Sequence, residues 1–171
     1  MFKHTGIVRR IDDIGRIVIP KEVRRRFRIN DGDPIEIGED GDFIALRKYS
    51  VIELGGETIQ KILSTFSKAT SHPVILCSKT HVLNSFRIPM KTPCYLTTKL
   101  CDALRDQDKS YLGYEISEDS DLKVKRLAEI RIGNDLEGAL IIPQTSSSGT
   151  VTAADMACLE LCAKTIAELL L

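Results

Sequence analysis

The stretch TGIVRRIDDIGRIVIPKEVRRRFRI (residues 5–29) determines the character of the N-terminal part of this 171-residue chain. Two β-branched runs, Ile7-Val8 and Ile17-Val18-Ile19, alternate with arginines, and more arginines follow Pro20. Residues 1–28 hold nine Lys and Arg against three Asp and Glu, whereas residues 29–46 hold six acids and no base. A chain with no net charge is therefore polarised near its N-terminus, which is typical of a domain that binds a polyanion, most often nucleic acid.

The distribution of these basic residues decides whether they form a solvated face or a binding surface. A single run of charges is usually a solvated face. Here the charges are spread over three expected elements, a strand, a turn and a helix, so they converge only if the fold brings those elements together. This favours a binding surface.

Apolar residues in the first fifty positions recur at strand spacing, which predicts four short strands and one short helix. The strands are expected around residues 7–11, 17–19, 35–38 and 43–47, with turns at 12–15 and at Asp40-Gly41. Pro20 suits the first position of a helix over residues 21–27. So few residues cannot bury much core, and dimerisation is the expected remedy.

The same segment resembles the AbrB-type DNA-binding domain of bacterial transition-state regulators. The resemblance runs from Lys3 to about Tyr49 and rests on TGIVRR, the D-x-x-G-R turn at 12–16, IVIPKEVRR, GDPIEI at 32–37 and LRKY at 46–49. It implies a homodimer of interleaved, swapped β-hairpins that binds double-stranded DNA as a sequence-specific transcriptional regulator of sporulation or transition-state genes.

Position by position, the resemblance also implies a set of DNA-contacting residues. Arginines are placed against DNA at Arg9, Arg16, Arg24 and Arg25, and additional phosphate contacts come from Lys3, Arg10 and Lys21. Arg26 and Arg28 are not assigned, because consecutive helical side chains do not face one surface. Since guanidinium groups can read guanine edges, a base-reading role is open for some of the arginines.

The character of the chain changes at residues 50–56, which predicts an N-terminal domain (1–50), a linker (51–56) and a second domain (57–171). Apolar stripes predict helices over 57–71 and from Thr152 to the end of the chain, where Asp155 completes a capping-box pattern. A third helix is expected over 96–105. Strands are expected at 74–77, 81–86, 125–132 and 139–142. The fold class is therefore α+β, with an α/β second domain.

This element order, with the GALIIP strand at 138–143, resembles a GAF domain, a small-molecule sensing module. The resemblance implies that the first and last helices of this domain pack against those of a partner, which would make a homotetramer. An equally open alternative is that the two helices only cover the domain's own sheet. The segment 78–122 lacks the convergent polar groups of a nucleotide site. We therefore expect any ligand to be small and mostly apolar or amino-acid-like.

Five cysteines without paired spacing fit reduced thiols in a cytosol. Cys158 and Cys162 lie one helical turn apart, but two ligands do not make a structural zinc site. We expect no metal, no cofactor and no catalytic residues, and hence no enzyme. The first strand follows directly on residue 4, leaving no room for a signal peptide, and no apolar run is long enough for a membrane span, so a cytoplasmic location without a membrane partner is expected.

Two alternatives of a different class stay open. The first is an antitoxin that represses its own operator and occludes a toxin with its tail, although residues 57–171 have the pattern of a folded domain rather than of a short disordered tail. The second is a cysteine-dependent sulfoxide reductase activity in the GAF-like domain. Neither the operator nor the sign of regulation follows from the sequence.

Overall fold

The structure is a computed structural model in which residues 6–91, 94–106, 110–146 and 149–171 are described. The chain divides after Tyr49 into two compact units, here called the N-terminal unit (described residues 6–49) and the C-terminal unit (residues 50–171). Both contain helix and strand, so the mixed α+β class predicted from the sequence is confirmed. No helix in the described ranges has the length and apolar character needed to cross a bilayer.

The N-terminal unit contains helix α1 (Lys21–Arg26) and a β-hairpin formed by β1 (Ile35–Asp40) and β2 (Phe43–Lys48). Asp40 pairs with Phe43, so the connecting loop is the two-residue Gly41-Asp42. Gly41 has φ +59°, a conformation that two-residue hairpin loops require and that glycine adopts without strain. The loop lies one residue later than the Asp40-Gly41 turn predicted from the sequence.

The strands predicted over 7–11 and 17–19 are absent from the described single chain, and this prediction is wrong for the isolated protomer. Only the turn between them is formed, with the Gly15 N–H donating to the Asp12 carbonyl at 3.0 Å. A strand needs a neighbour to satisfy its backbone groups, and the two strands of this unit pair only with each other. The strand pattern is present in the sequence, but neither segment is a strand in the described part of the chain.

The C-terminal unit is a six-stranded antiparallel sheet with helices on both faces. Its strand order is β5-β4-β3-β8-β7-β6. The elements in chain order are α2 (Gly56–Thr70), β3 (Val74–Ser78), β4 (His81–Phe86), β5 (Cys94–Tyr95), α3 (Thr98–Arg105), β6 (Glu115–Ser117), β7 (Ser120–Ile132), β8 (Asp135–Gln144) and α4 (Ala153–Leu169). The sequence pattern predicted all of these except the two shortest, β5 and β6.

Alternation along the central strands builds two cores. Val74 and Leu76 of β3 face α2 and α4, whereas Ile75 and Cys77 face α3. The helical stripes predicted from the sequence bury their central residues against this unit's own sheet; these are Ile59, Leu63 and Phe66 on α2, and Leu159, Ala163 and Ile166 on α4. Covering the sheet therefore occupies the middle of both stripes.

Residues 51–56, expected to be a linker, belong to this second unit. Val51–Gly55 form a 3₁₀ helix, and Ile52 is only 2% exposed. A Cβ atom at Gly138 would lie 2.1 Å from the Cys77 carbonyl oxygen and 2.6 Å from the Ile52 Cδ1. Ile52 therefore fills a notch that exists because position 138 of β8 has no side chain.

The N-terminus of α4 has the capping box that the sequence predicted. The Thr152 hydroxyl accepts from the Asp155 backbone N–H at 3.2 Å, and the Asp155 carboxylate accepts from the Thr152 N–H at 2.8 Å. The Thr152 backbone N–H, followed by the Thr152 hydroxyl, which donates to the same Asp155 Oδ2 at 2.8 Å, holds the pKa of the Asp155 carboxyl below its usual value. The carboxylate also lies 3.3 Å from Nε2 of the buried His72, which connects the start of α4 with the segment before β3.

Candidate nucleic-acid interface

Six of the seven predicted DNA-contacting residues lie within the described part of the N-terminal unit, and Lys3 lies outside it. The six are distributed over the turn region and α1. Five have exposed side chains and one, Arg24, is half-buried. The described residues of the set are Arg9, Arg10, Arg16, Lys21, Arg24 and Arg25.

Arg16 is held by Asp12, four residues before it. The Asp12 Oδ1 accepts from the backbone N–H groups of Arg16 at 2.7 Å and Ile14 at 3.2 Å, and its Oδ2 accepts from the Arg16 Nε at 2.8 Å. The Arg16 backbone N–H, followed by the Arg16 guanidinium, holds the pKa of the Asp12 carboxyl below its usual value. The Arg16 side chain is nevertheless 74% exposed. It is both held in place and accessible.

Arg24 on α1 is held differently. Its Nη1 donates to Asp31 Oδ1 at 2.8 Å, and its carbonyl accepts from the Ile29 N–H at 2.8 Å, just past the end of the helix. Its Nε is buried and has no hydrogen-bond partner among the described residues. Arg24 therefore contributes to the local structure after α1 as well as offering charge.

The other four predicted cations form fewer contacts with the rest of the described chain than Arg16 and Arg24 do. Within the described ranges, Arg9, Arg10, Lys21 and Arg25 form no ion pair, and Arg9 Nη1 donates only to the neighbouring Val8 carbonyl. Arg26, which was left unassigned, has its guanidinium 5.6 Å from the ring centroid of Phe27. The six described cations of the predicted set thus comprise two arginines held by carboxylates and four side chains that are free to adapt to a polyanion.

One polar contact beneath this region was missed by sequence reasoning. Lys48 donates to Asp33 Oδ2 at 2.8 Å and lies 3.3 Å from the Arg28 carbonyl, with only 14% of its side chain exposed. Arg28 itself has φ +52°. The contact joins the loop before β1 to the end of β2. Its members are fifteen or more positions apart, and no local pattern signals such a pair.

The N-terminal unit also exposes its apolar side chains. None of residues 6–49 is buried. Ile37 is 72% exposed and Ile44 74% exposed. The large apolar residues exposed in this unit are Ile7, Val8, Ile11, Ile14, Ile17, Val18, Phe27, Ile37, Phe43, Ile44 and Leu46. Surfaces of this kind are typical of interaction sites.

The C-terminal unit contains a cavity of about 410 Å³ between α2 and β4. It is lined by Glu57, Gln60, Lys61, Leu63, Ser64, Asn84 and Phe86. The lining combines charged and amide groups with an apolar floor. Sequence reasoning named none of the polar lining residues as part of a site.

A second polar group in this unit has the composition of a nucleophilic triad. Ser78 Oγ lies 3.0 Å from His81 Nδ1, and His81 Nε2 lies 3.6 Å from Glu53 Oε1. The hydroxyl also accepts from the Thr80 N–H at 3.3 Å and lies 3.2 Å from the His81 carbonyl. Ser78 is only 5% exposed. A nucleophile must be accessible, so this network stabilises the turn between β3 and β4.

The cysteines show no geometry for metal binding or nucleophilic attack in the described ranges, where no group of three His, Cys, Asp or Glu could hold a metal ion. Burial raises the pKa of Cys77 to about 12, and burial with the neighbouring Cys158 raises that of Cys162 to about 11. Cys94 of β5 and Cys101 of α3 are buried in the same core cluster. The thiolate is the reactive form, so these pKa values disfavour redox chemistry at Cys77 and Cys162.

Comparison with known proteins bears on the N-terminal unit. Residues 8–53 match the family described as antidote-toxin recognition MazE, bacterial antitoxin. The transition state regulatory protein AbrB of Bacillus subtilis (strain 168) is 51% identical over 47 residues, which is 28% of this chain and 49% of that protein. The putative transition state regulator Abh of the same strain is 51% identical over 47 residues, 28% of this chain and 51% of Abh. The AbrB-type resemblance predicted from the sequence is confirmed.

A longer match is with stage V sporulation protein T of Bacillus subtilis (strain 168), 47% identical over 78 residues, or 45% of this chain and 44% of that protein. A match of 78 residues is longer than the N-terminal unit, so it reaches into the C-terminal unit. The matches span about half the length of each of these relatives.

Proposed function

We propose that this protein is a DNA-binding transcriptional regulator whose N-terminal unit binds double-stranded DNA. The observation that carries the proposal is that the six described cations of the predicted set lie within residues 8–53, the stretch matched by the MazE family, in a chain that is 51% identical to the transition state regulatory protein AbrB over 47 residues. The proposed contacts are those predicted from the sequence: Lys3, Arg9, Arg10, Arg16, Lys21, Arg24 and Arg25. The proposed location is the cytoplasm, and the proposed targets are sporulation or transition-state genes.

The DNA-binding form is proposed to be a homodimer of interleaved hairpins. Two features support it: none of residues 6–49 is buried, and the strand patterns at 7–11 and 17–19 do not form strands among the described residues of the single chain. A second copy would supply strand neighbours and a shared core. The division into a DNA-binding domain and a second domain is part of the same proposal.

The C-terminal unit is proposed to be a GAF-like sensor or oligomerisation domain. The antiparallel sheet between helices on both faces supports a ligand-binding module, and the cavity between α2 and β4 is a place for a small ligand. Exposed Leu161 and Leu169 of α4 leave room for a tetramer contact outside the part of the helix that covers the sheet. Native mass spectrometry of the protein purified from cells reports subunit number and retained small molecules together.

The DNA-binding proposal is tested by salt titration. With at least four basic side chains per chain near phosphates, about eight contacts per dimer give a slope of roughly −7 for log affinity against log salt. Fluorescence anisotropy with a labelled 40-bp duplex measures this slope. Arg25→Ala should weaken binding and flatten the slope. Lys164→Ala, at an exposed position of α4, should change neither. A slope near zero for the wild-type protein would reject the basic surface as a DNA site.

An antitoxin-type autorepressor is the second candidate, favoured by the description of the matched family. In that case the C-terminal unit would occlude a toxin. Against it stands the extended core of this unit, which covers both faces of a six-stranded sheet. A stoichiometric second protein that co-purifies with the chain and is toxic when expressed alone would favour the antitoxin; a chain that purifies only with itself and DNA would favour the regulator.

A further inference from the structure

The Asp12 carboxylate performs two tasks at once, because Oδ1 organises the turn while Oδ2 holds the Arg16 side chain. We propose that Asp12 is a positioning residue that orients Arg16 to read a guanine base, which makes Asp12 a determinant of sequence specificity although its charge has the same sign as that of DNA. The inference rests on the proposed DNA-binding function and assigns a role within that site.

The donors that remain on Arg16 suit a base edge. Its Nε is taken by the Asp12 Oδ2 at 2.8 Å, and within the described ranges neither terminal nitrogen, Nη1 or Nη2, has a partner. Two parallel N–H groups on one guanidinium match the O6 and N7 acceptors of guanine in the major groove. A side chain that is already held also loses less rotamer freedom when it binds.

The other cations of the surface suit a different task. Arg24 gives its Nη1 to Asp31 and has a buried Nε, so a single terminal nitrogen remains for DNA. Arg9, Arg10, Lys21 and Arg25 are not held by any carboxylate in the described part of the chain. Phosphate contacts position a protein without requiring a fixed fork, so these side chains fit backbone binding. Arg16 alone among the described cations of the set combines a fixed guanidinium with two available terminal nitrogens.

Removal of the Asp12 carboxylate should change DNA affinity in the opposite direction from the one that charge repulsion alone would give. If Asp12 were only a negative charge near DNA, its removal would strengthen binding to every sequence. If it orients Arg16 toward a base, its removal weakens binding to the preferred sequence and leaves binding to other sequences unchanged or slightly stronger. The two effects can be measured on the same protein.

Asp12→Asn separates the turn from the arginine contact. The asparagine Oδ1 can still accept from the Ile14 and Arg16 backbone N–H groups, which preserves the turn. Its amide nitrogen then replaces the Oδ2 and faces the Arg16 Nε, so a donor meets a donor. The variant should keep the backbone conformation and release the guanidinium. Asp12→Ala removes both contacts and serves as the comparison.

The experiment uses the full-length protein and duplexes selected from a library with 18 random base pairs. Anisotropy titrations compare the best selected duplex with a shuffled duplex of the same composition for wild type, Asp12→Asn, Asp12→Ala, Arg16→Ala and the Asp12→Asn/Arg16→Ala double variant. Asp12→Asn should lose about tenfold on the selected duplex only, the scale of one good arginine–guanine contact. The salt slope should stay the same because no phosphate contact is lost. In the Arg16→Ala background, Asp12→Asn should have no further effect on the selected duplex.

Each contrary outcome has its own meaning. Unchanged affinity in Asp12→Asn, an equal loss on both duplexes, or a loss that persists without Arg16 would overturn the positioning role and leave the proposed function standing. A thermal melt of Asp12→Asn that matches wild type excludes unfolding as the cause of a loss. Wild-type binding without any sequence preference would overturn base reading, and wild-type failure to bind any duplex would overturn the proposed function together with this inference.

Discussion

The two units differ in how far they bury their apolar side chains. In the C-terminal unit, strands and helices bury side chains such as Leu140 and Ile141 completely on both faces of one sheet. In the N-terminal unit none of residues 6–49 is buried, although its strands also carry apolar residues, such as Ile35 and Ile37 on β1 and Phe43 and Leu46 on β2. The difference teaches that an apolar pattern specifies which side chains need burial, while chain length and the number of available neighbours determine whether one protomer can provide it. The proposed homodimer would stabilise the first unit by association.

The largest expected effect tests the self-sufficiency of the C-terminal unit. Leu140→Ala on β8 should lower its free energy of unfolding by about 2–5 kcal/mol, because a fully buried leucine leaves a cavity between the sheet and the α2–α4 layer. Hydrogen exchange of β3 and β8 in the full-length chain measures the change. Leu54→Ala, at a position 70% exposed in the same unit, is the matched control and should stay within about 0.5 kcal/mol. Equal effects of the two substitutions would contradict the burial of Leu140 in the core.

The next effect tests the N-terminal unit. The thermal stability of a fragment comprising residues 1–49 should rise with its concentration, since the folded form is proposed to be a dimer. A hundredfold dilution should cost about 2.7 kcal/mol of apparent stability per dimer. Circular dichroism melts over that range, combined with sedimentation, measure it. A melting temperature that does not move, together with a monomer mass, would contradict the dimer.

A smaller effect concerns the cap of α4. Thr152→Ala removes the hydroxyl that accepts from the Asp155 N–H and should destabilise the C-terminal unit by about 1 kcal/mol. Exchange protection should fall in the first turn of α4 and remain at Phe66 of α2. Thr152→Ser keeps the acceptor and should restore most of the loss. If alanine and serine behave alike, the capping bond contributes nothing to stability.

The smallest effect is a pH dependence shared by the two units. Asp12 and Asp155 have folded pKa values below the usual 3.8, each with a backbone N–H as the main cause. A depressed folded pKa contributes stability above the unfolded pKa, and this stability is lost as the pH falls through the folded value. Carboxyl-carbon NMR titration should therefore find both midpoints below 3.8. A midpoint at or above that value would show that the corresponding turn or cap is not formed in solution.

Local patterns predicted the parts of the fold that depend on local chemistry. The hairpin over 35–48 follows from two short apolar segments around a Gly-containing turn, and the α4 start follows from the Thr152–Asp155 spacing. The segments 7–11 and 17–19 have a strand pattern but form no strand among the described residues, because a sequence pattern does not report whether a neighbouring strand is available. The short strands β5 and β6 are two and three residues long, too short to give a periodic pattern, and were not predicted.

The candidate site was predictable as a set of residue types but not as a geometry. The excess of arginine and the turn at Asp12 were visible in the sequence. That Asp12 would hold Arg16 by its Nε, and that Asp31 would hold Arg24, required coordinates, because many acids lie within reach of many bases in this segment. The Lys48–Asp33 contact was invisible for the same reason.

The Ile52 side chain lodged at Gly138 has a consequence for how such proteins could exchange parts during evolution. The family-matched stretch ends at residue 53, whereas the second unit begins at Ser50, so residues 50–53 belong to both. A gene fusion that replaced the whole matched stretch would also replace Ile52, and the sheet of the second unit would then have an empty notch at Gly138. A crossover at the Tyr49–Ser50 peptide would preserve the notch and its occupant, so viable chimeras should have their junctions there.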